Sequence, residues 1–289
     1  MSRRPVLALL VLTAVAVGCR RGAPRAAPSG PPTRIVAASV FAAEVLLDLL
    51  PRERIAGVHY LAADPRYSLV ADRVGDLPQV DADPEALLSV DPDLVVLDAF
   101  TKPETVSLLE AAGVRLLRPH EARDFAGIWA NIRQLSTACG CEAAAERLIA
   151  SSAARLAALR ETAPERAAWR VMSLDGALHT YGKGSLFDAV VAATGARNLA
   201  AEEGVGPFRK LDVEAVLVMP ADAIVLGAGT GDLAQERQWL VQHPGLRLMN
   251  CVERDRLLFV PSPLLASTSH HLVAAAERIA EQLTRWGTP

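Results

Sequence analysis

Residues 83–99 read DPEALLSVDPDLVVLDA, and residues 212–228 read DVEAVLVMPADAIVLGA. Aligned at an offset of 129 residues, the two stretches agree at eight of seventeen positions. Each copy specifies the same unit. Asp83 or Asp212 can cap a short helix, and Glu85 or Glu214 complements the positive end of its dipole. In the first copy Pro84 takes the first helical position, where its missing N–H costs nothing. LVVL and AIVL are wholly apolar runs, as expected of central parallel strands buried on both faces. Two copies half a chain apart predict two similar lobes, and a cleft between lobes is where a small molecule binds.

Around the first copy, strands and helices alternate. IVAAS from Ile35 reads as a strand, and FAAEVLLDLL from Phe41 as a helix with one apolar face. IAGV and VRLL are further strands, while Lys102–Ala112 and Phe125–Leu135 are helices, the first ended by Gly113. Around the second copy, RVMSL and RLLFV read as strands, and ALHTY as a further strand. Ser185–Thr194, Asp232–Gln242 and Ser269–Arg285 are helices. Such alternation implies right-handed crossovers on parallel sheets. Between the halves, EAAAERLIASSAARLAALRE contains neither Gly nor Pro and consists mostly of strong helix formers. The expected fold is α/β, with two Rossmann-like lobes of mainly parallel sheet joined by one long helix. The expected boundaries are 34–140 for the N-terminal lobe, 141–163 for the connecting helix and 168–289 for the C-terminal lobe.

The chain has 289 residues, of which 51% are apolar, enough for two cores. Its formal charge is −3. Residues 1–18 hold Arg3 and Arg4 and no acid, so the remainder carries −5. No basic stripe runs through the body, and nucleic-acid binding is excluded as an expectation. Arg3 and Arg4 precede the apolar run Val6–Val17, too short for a lasting membrane span but suited to an export signal over 1–18. Ala16-Val17-Gly18-Cys19 resembles the lipobox of bacterial lipoproteins, with Ala16 in place of the usual Leu. Residues 19–33, rich in Pro, Ala and Gly, read as a lipidated Cys19 followed by a flexible tether. The expected location is the periplasm or cell surface, anchored to a membrane. Three further cysteines remain: Cys139, Cys141 and Cys251. A bridge within Cys139-Gly140-Cys141 would be strained. A bridge from one of them to Cys251, or three free thiols, both stay open.

The order of these features, with RIVAAS, GVHY, the first copy, the long helix and LDVEAV in the second copy, resembles the substrate-binding proteins of bacterial ABC importers. The resemblance is to the class III periplasmic group, whose lobes are joined by a rigid helix and which captures iron-siderophores, haem or corrinoids. It runs from Arg34 to the C-terminus. It implies that the lobes close by a small angle. It also implies that Glu85 and Glu214 dock onto arginines of a permease dimer served by a cytoplasmic ATPase. A carboxylate can accept two parallel bonds from Arg, so the chemistry is apt. The molecule is expected to act as a monomer with no cofactor of its own.

Loops at the strand C-termini should face the cleft. In the first lobe these carry Ser39, His59, Tyr60 and Phe100. In the second they carry His179, Tyr181, Lys183, Phe208 and Arg209, together with the loops 227–231 and 262–271. Phe208 and His179 match positions where corrinoid-binding relatives carry pocket aromatics. Aromatic rings suit a flat conjugated ligand, and Lys183 or Arg209 suits an anionic one. His59, His179, His270 and His271 are metal-ligand candidates, although a single His more often makes an ordinary hydrogen bond. Phe41 reads as core, and Trp129, Trp169, Trp239 and Trp286 as packing residues. GALHTYGKGS fails the phosphate-loop spacing, and no GxSxG or HExxH is present, so an enzyme is disfavoured. The leading expectation is therefore the binding component of a metal-chelate importer, with iron-siderophore or haem ahead of corrinoid. A bare metal-ion binding protein of the same fold is the alternative within the class. A tetrapyrrole metal-chelatase-like enzyme is the alternative outside it.

Overall fold

The structure is a computed structural model that describes residues 30–227 and 232–289. The expected signal segment, Cys19, residues 20–29 of the tether and residues 228–231 lie outside the described residues.

The first lobe is built on five parallel strands: β1 (Ile35–Ala37), β2 (Ile55–His59), β3 (Gln79–Val80), β4 (Leu94–Val96) and β5 (Arg115–Leu117). Their order is β3-β2-β1-β4-β5, with β1 and the repeat strand β4 at the centre. Alternate side chains face opposite layers. Val36 and Val95 join Leu87 and Leu109 on one face, and Ile35, Ala37, Leu94 and Val96 face the helices Val40–Leu49 and Phe125–Cys139 on the other.

The second lobe repeats that core with fewer strands. β6 (Arg170–Ser173), β8 (Arg197–Asn198), β10 (Ala223–Leu226) and β11 (Leu257–Phe259) are parallel in the order β11-β10-β6-β8. The second repeat strand β10 again lies beside the lobe's first strand. The segment expected as a strand at ALHTY keeps only β7 (His179–Thr180), and this leaves the main sheet. It pairs antiparallel with β9 (Arg209–Lys210) in a separate ribbon. Two-residue strands are set by their partner rather than by their own pattern, which is why the sequence shows them poorly.

The two lobes share one apolar core. The connecting helix Glu142–Glu161 follows Gly140, whose left-handed φ of 67° ends the helix before it. Ala145, Ile149, Ser152 and Leu156 recur at helical spacing and form its buried stripe. Twenty residues at 1.5 Å each span roughly 30 Å. The helix packs against Phe125–Cys139 of the first lobe and against Leu186–Thr194 and Leu272–Trp286 of the second. The resulting cluster runs from Leu46 and Ile132 through Ile149 to Val171, Val190 and Ile279. A continuous core resists independent motion of the lobes, because close-packed interiors deform little.

Polar contacts join the lobes as well. Glu44, 1% exposed, accepts from Ser267 Oγ at 2.9 Å, Ser269 Oγ at 2.6 Å and Leu69 N at 3.2 Å. Cys139 and Cys251 sit in different clusters, and all three described cysteines are free. Trp169 is fully buried against Trp286, with the Arg256 guanidinium over both rings, so these two tryptophans pack as expected. Among the described residues no helix is long and apolar enough to cross a membrane.

Candidate functional site

The carboxyl ends of both sheets open onto one cleft holding two adjoining cavities that share Phe100 and Thr268. The first, of about 360 Å³, lies between the lobes. Phe100, Ala122 and Arg123 form one wall, and Tyr181, Leu186 and Phe208 the other. The second, of about 710 Å³, belongs mostly to the first lobe and includes Ser39, His59, Tyr60, Asp81, Asp98 and Lys102.

Exposed aromatics mark this cleft. Phe100 is 74% exposed, Phe208 56% and Tyr60 49%. Leaving a large apolar ring in water forgoes roughly 1.5–3 kcal/mol of burial. Three such rings around one cleft are therefore candidates for contact with a ligand. In the first lobe, Asp98 follows β4 and its Oδ1 accepts Phe100 N at 2.7 Å, setting the turn that displays Phe100. In the second lobe, Gly182 permits a close backbone approach. A Cβ there would lie 2.2 Å from Val205 O. Gly182 N and Lys183 N donate to Gly206 O and Val205 O, which holds Phe208 5.4 Å from Tyr181 and 5.0 Å from His179. Leu178, just before His179, has φ of 65°, an uncommon backbone for a bulky residue.

Electrostatics divide the walls. Asp81, Asp83, Asp98 and Glu121 face the two cavities. Of the basic residues there, Arg123 is paired with Glu121 at 3.3 Å, and Lys102 makes no ion pair with a described residue. His59 accepts Leu61 N at Nδ1 (3.3 Å) and stacks on Tyr60. Desolvation lowers its pKa below the usual imidazole value, opposed by Asp81 and Asp98. Burial raises the Tyr181 phenol, with a smaller push from Asp175. The Nδ1 of His179 lies 2.9 Å from Asp175 Oδ2.

The structure brings Ser39, His59, Tyr60 and Phe100 to the larger cavity, and Phe100, Tyr181 and Phe208 to the smaller. The Ser39 hydroxyl is already used, since it caps the helix Val40–Leu49 by accepting Ala42 N. His179 stands behind Phe208 as a stacking partner. Lys183 and Arg209 are exposed and line neither cavity. Phe41, expected as core, is 7% exposed, yet its edge reaches the larger cavity. The loop 262–271 splits: Leu265, Ala266 and Thr268 line the cleft, but His270 and His271 turn to Asp48 on the first lobe. Sequence reasoning missed Asp81 and Asp83, because β3 is too short to announce the loop after it. It also missed Glu121–Arg123, although the strand before them was legible.

Glu85 and Glu214 occupy the first turns of the helices Pro84–Ser89 and Val213–Val218. Both are exposed, and among the described residues neither carboxylate has a hydrogen-bond or ion-pair partner. Asp83, two residues before Glu85, lines the cleft, so that helix begins at the cleft rim. Leu217 and Val218, 42% and 80% exposed, flank Glu214 on the same face.

A family described as "Periplasmic binding protein" matches residues 35–264. The ABC transporter substrate-binding lipoprotein YvrC of Bacillus subtilis is 24% identical over 261 residues, covering 87% of this chain and 80% of YvrC. A cobalamin-binding protein of Halobacterium salinarum is 25% identical over 261 residues, covering 88% of this chain and 68% of that protein. Among solved structures, the periplasmic heme-binding protein RhuT of Roseiflexus sp. RS-1 superposes with a TM-score of 0.76 at 23% identity. That match covers 90% of this chain and all of the other.

Proposed function

Because the chain belongs to the periplasmic binding protein family, we propose that it is the solute-binding component of an ABC importer whose cargo is a large, flat metal chelate, a corrinoid ahead of haem or a ferric siderophore. The observation that carries this reading is the pair of opposed aromatic walls. Phe100 stands on the first lobe and Tyr181 and Phe208 on the second, around a cavity of about 360 Å³. A flat conjugated macrocycle would sit between such faces.

Charge supports a corrinoid among the chelates. Haem propionates and catecholate siderophores bring negative charge, which Asp81, Asp83 and Asp98, facing the larger cavity, would repel. The amides around a corrinoid offer N–H donors to those same carboxylates. This reverses the order expected from sequence, which put iron-siderophore or haem ahead of corrinoid and offered Lys183 or Arg209 as contacts for an anionic chelate. Haem remains the second reading on one observation. Asp175 Oδ2 lies 2.9 Å from Nδ1 of His179 and fixes a ring stacked on Phe208, which extends the aromatic wall for a flat macrocycle. Calorimetric titration with cyanocobalamin, haemin and a ferric hydroxamate tests the assignment. Stoichiometric binding of the corrinoid with the lowest Kd is expected. Preference for haemin would overturn the charge argument, and binding of none would remove the ligand class. The bare-ion alternative receives no support from the cleft, where the described residues gather no metal-ligand group.

Glu85 and Glu214 are proposed to meet arginines of the permease dimer, one from each lobe, with a cytoplasmic ATPase driving release. Their exposure and lack of other partners support that role. Lipidation of Cys19 would hold the exported protein at the membrane, the cell-surface or periplasmic face being the site of capture, and one chain per permease suffices. A charge reversal at both acids should stop uptake and leave ligand binding intact.

A further inference from the structure

We propose that Asp48, His270 and His271 form a binding site for one divalent transition-metal ion of the zinc or nickel type, tying the two lobes together outside the ligand cleft. Asp48 lies in the last turn of the helix Val40–Leu49 of the first lobe. His270 and His271 immediately precede the terminal helix Leu272–Trp286 of the second. Neither histidine lines either cleft cavity, so an ion here would be resident rather than cargo.

The geometry is close to a coordination shell. One ligand atom from each residue lies within 4.8 Å of the others. Asp48 Oδ2 is 2.8 Å from His270 Nε2 and 3.7 Å from His271 Nε2. Ligands at 2.0–2.2 Å from a tetrahedral zinc stand about 3.3 Å apart, between those two distances. The ion needs small ring movements only. His270 would exchange its hydrogen bond to Asp48 for a bond to the ion, carrying its proton on Nδ1. The second observation is the His271 Nε2 atom, which is buried and has no hydrogen-bond partner among the described residues. A buried polar atom left unpaired is costly, and a metal bond would remove that cost.

Ligand type agrees with the geometry. Two imidazoles and one carboxylate favour zinc, nickel or copper over magnesium or calcium. Arg73 Nη1 holds the other oxygen of Asp48 at 2.5 Å, which aims Oδ2 at the histidines. Its charge, with that of Arg155, weakens the site, and His270 Nδ1 lacks the outer acceptor that strengthens metal-bound imidazole by about 10–100-fold. The expected affinity is therefore micromolar, below that of a structural zinc centre.

The test uses the full chain without a histidine tag, freed of metal by chelation. Zinc chloride should bind once per chain in calorimetry and raise Tm by roughly 3–5 °C at saturation, while magnesium chloride does neither. Cobalt chloride should give the visible absorption of a tetrahedral site. His271→Ala, at a partly exposed position, should keep the metal-free Tm but weaken zinc binding at least about tenfold. Phe208→Ala, in the cleft, should leave zinc binding unchanged. No zinc-dependent shift in the native chain, or equal binding by His271→Ala, would overturn the proposal.

Discussion

The two copies of the repeated unit have kept their scaffolding and diverged at what they present. Strands β4 and β10 both lie beside the first strand of their lobe, and both follow a short helix capped by Asp. Beyond that the lobes part. The first continues its parallel sheet to β3, whose end delivers Asp81 and Asp83 to the cleft. The second replaces that edge with the antiparallel ribbon β7–β9, which carries His179 and leads Tyr181 and Phe208 into a cluster of rings. The first wall thus sets carboxylates beside Tyr60 and Phe100, and the second is built mainly of rings. The lesson is that the strand core sets where a loop emerges, while the sheet edge decides which chemistry it bears.

The short helices that carry Glu85 and Glu214 diverge in the same way. Glu214 has Leu217 and Val218 exposed beside it, whereas the matching neighbours of Glu85 are the half-buried Leu88 and the exposed Ser89. If both acids grip a permease, the second lobe adds apolar contact and the first relies on charge. The largest expected effect follows from this. Glu85→Arg together with Glu214→Arg should abolish uptake in a transport assay, and Glu85→Arg alone should cost more than Glu214→Arg alone. Equal losses would break the asymmetry.

The cleft walls come next in size. Phe208→Ala and Phe100→Ala should each weaken chelate binding by about 1–2 kcal/mol, roughly 5–30-fold in Kd by calorimetry. Asp98→Asn should change affinity less for a neutral chelate and improve it for an anionic one. Improvement for every chelate would show that the acidic wall is not a recognition surface.

The paired caps give a smaller and more symmetrical test. Asp83 accepts Glu85 N at 2.9 Å, and Asp212 accepts Ala215 N at 2.7 Å. Asp83→Ala and Asp212→Ala should each lower stability by about 1 kcal/mol in denaturant titration. Only the first, whose residue lines the cleft, should also alter ligand affinity.

The smallest effect concerns the junction of the lobes. Burial raises the Glu44 carboxyl above its usual 4.5, against the hydrogen bonds from Ser269, Leu69 and Ser267. The folded state therefore favours the protonated form. Its contribution is full below the unfolded pKa and is lost as the pH rises through the folded one. Glu44→Gln keeps an acceptor for Leu69 N, turns to the two serines an amide N–H that their oxygens can accept, and does not titrate. Its Tm should match the native chain near about pH 4 and exceed it near about pH 8. A variant less stable at both would mean that the carboxylate itself is required.

Much of this was legible before the structure. The capped helix and apolar strand of each copy appear as read, because a cap, a dipole and a doubly buried strand are local demands on residue type. AIVL is a strand over the expected residues, and the helix Glu142–Glu161 falls within the uninterrupted run of helix formers. Phe100, Tyr181 and Phe208 were legible as a consequence, since each follows a strand end or flanks the ribbon. The ribbon itself was not, because two-residue strands have no periodicity to detect. The loop 262–271 could not be divided by pattern either. PLLASTSHH holds small, apolar and ligating residues in succession, and which of them faces the cleft depends on the packing of the terminal helix.

Sequence alone determined the twin parallel-sheet lobes, the rod between them and the matched acids in the first turns of the two repeated helices. These follow from periodicity, capping and composition, each readable along a continuous stretch of chain. Only the tertiary structure decided that both lobes share one continuous core, that the cleft opposes carboxylates to rings, and that His270 and His271 leave the cleft for Asp48. Each of those facts joins residues that are far apart in the chain, and their meeting is set by close packing of whole elements rather than by any local preference.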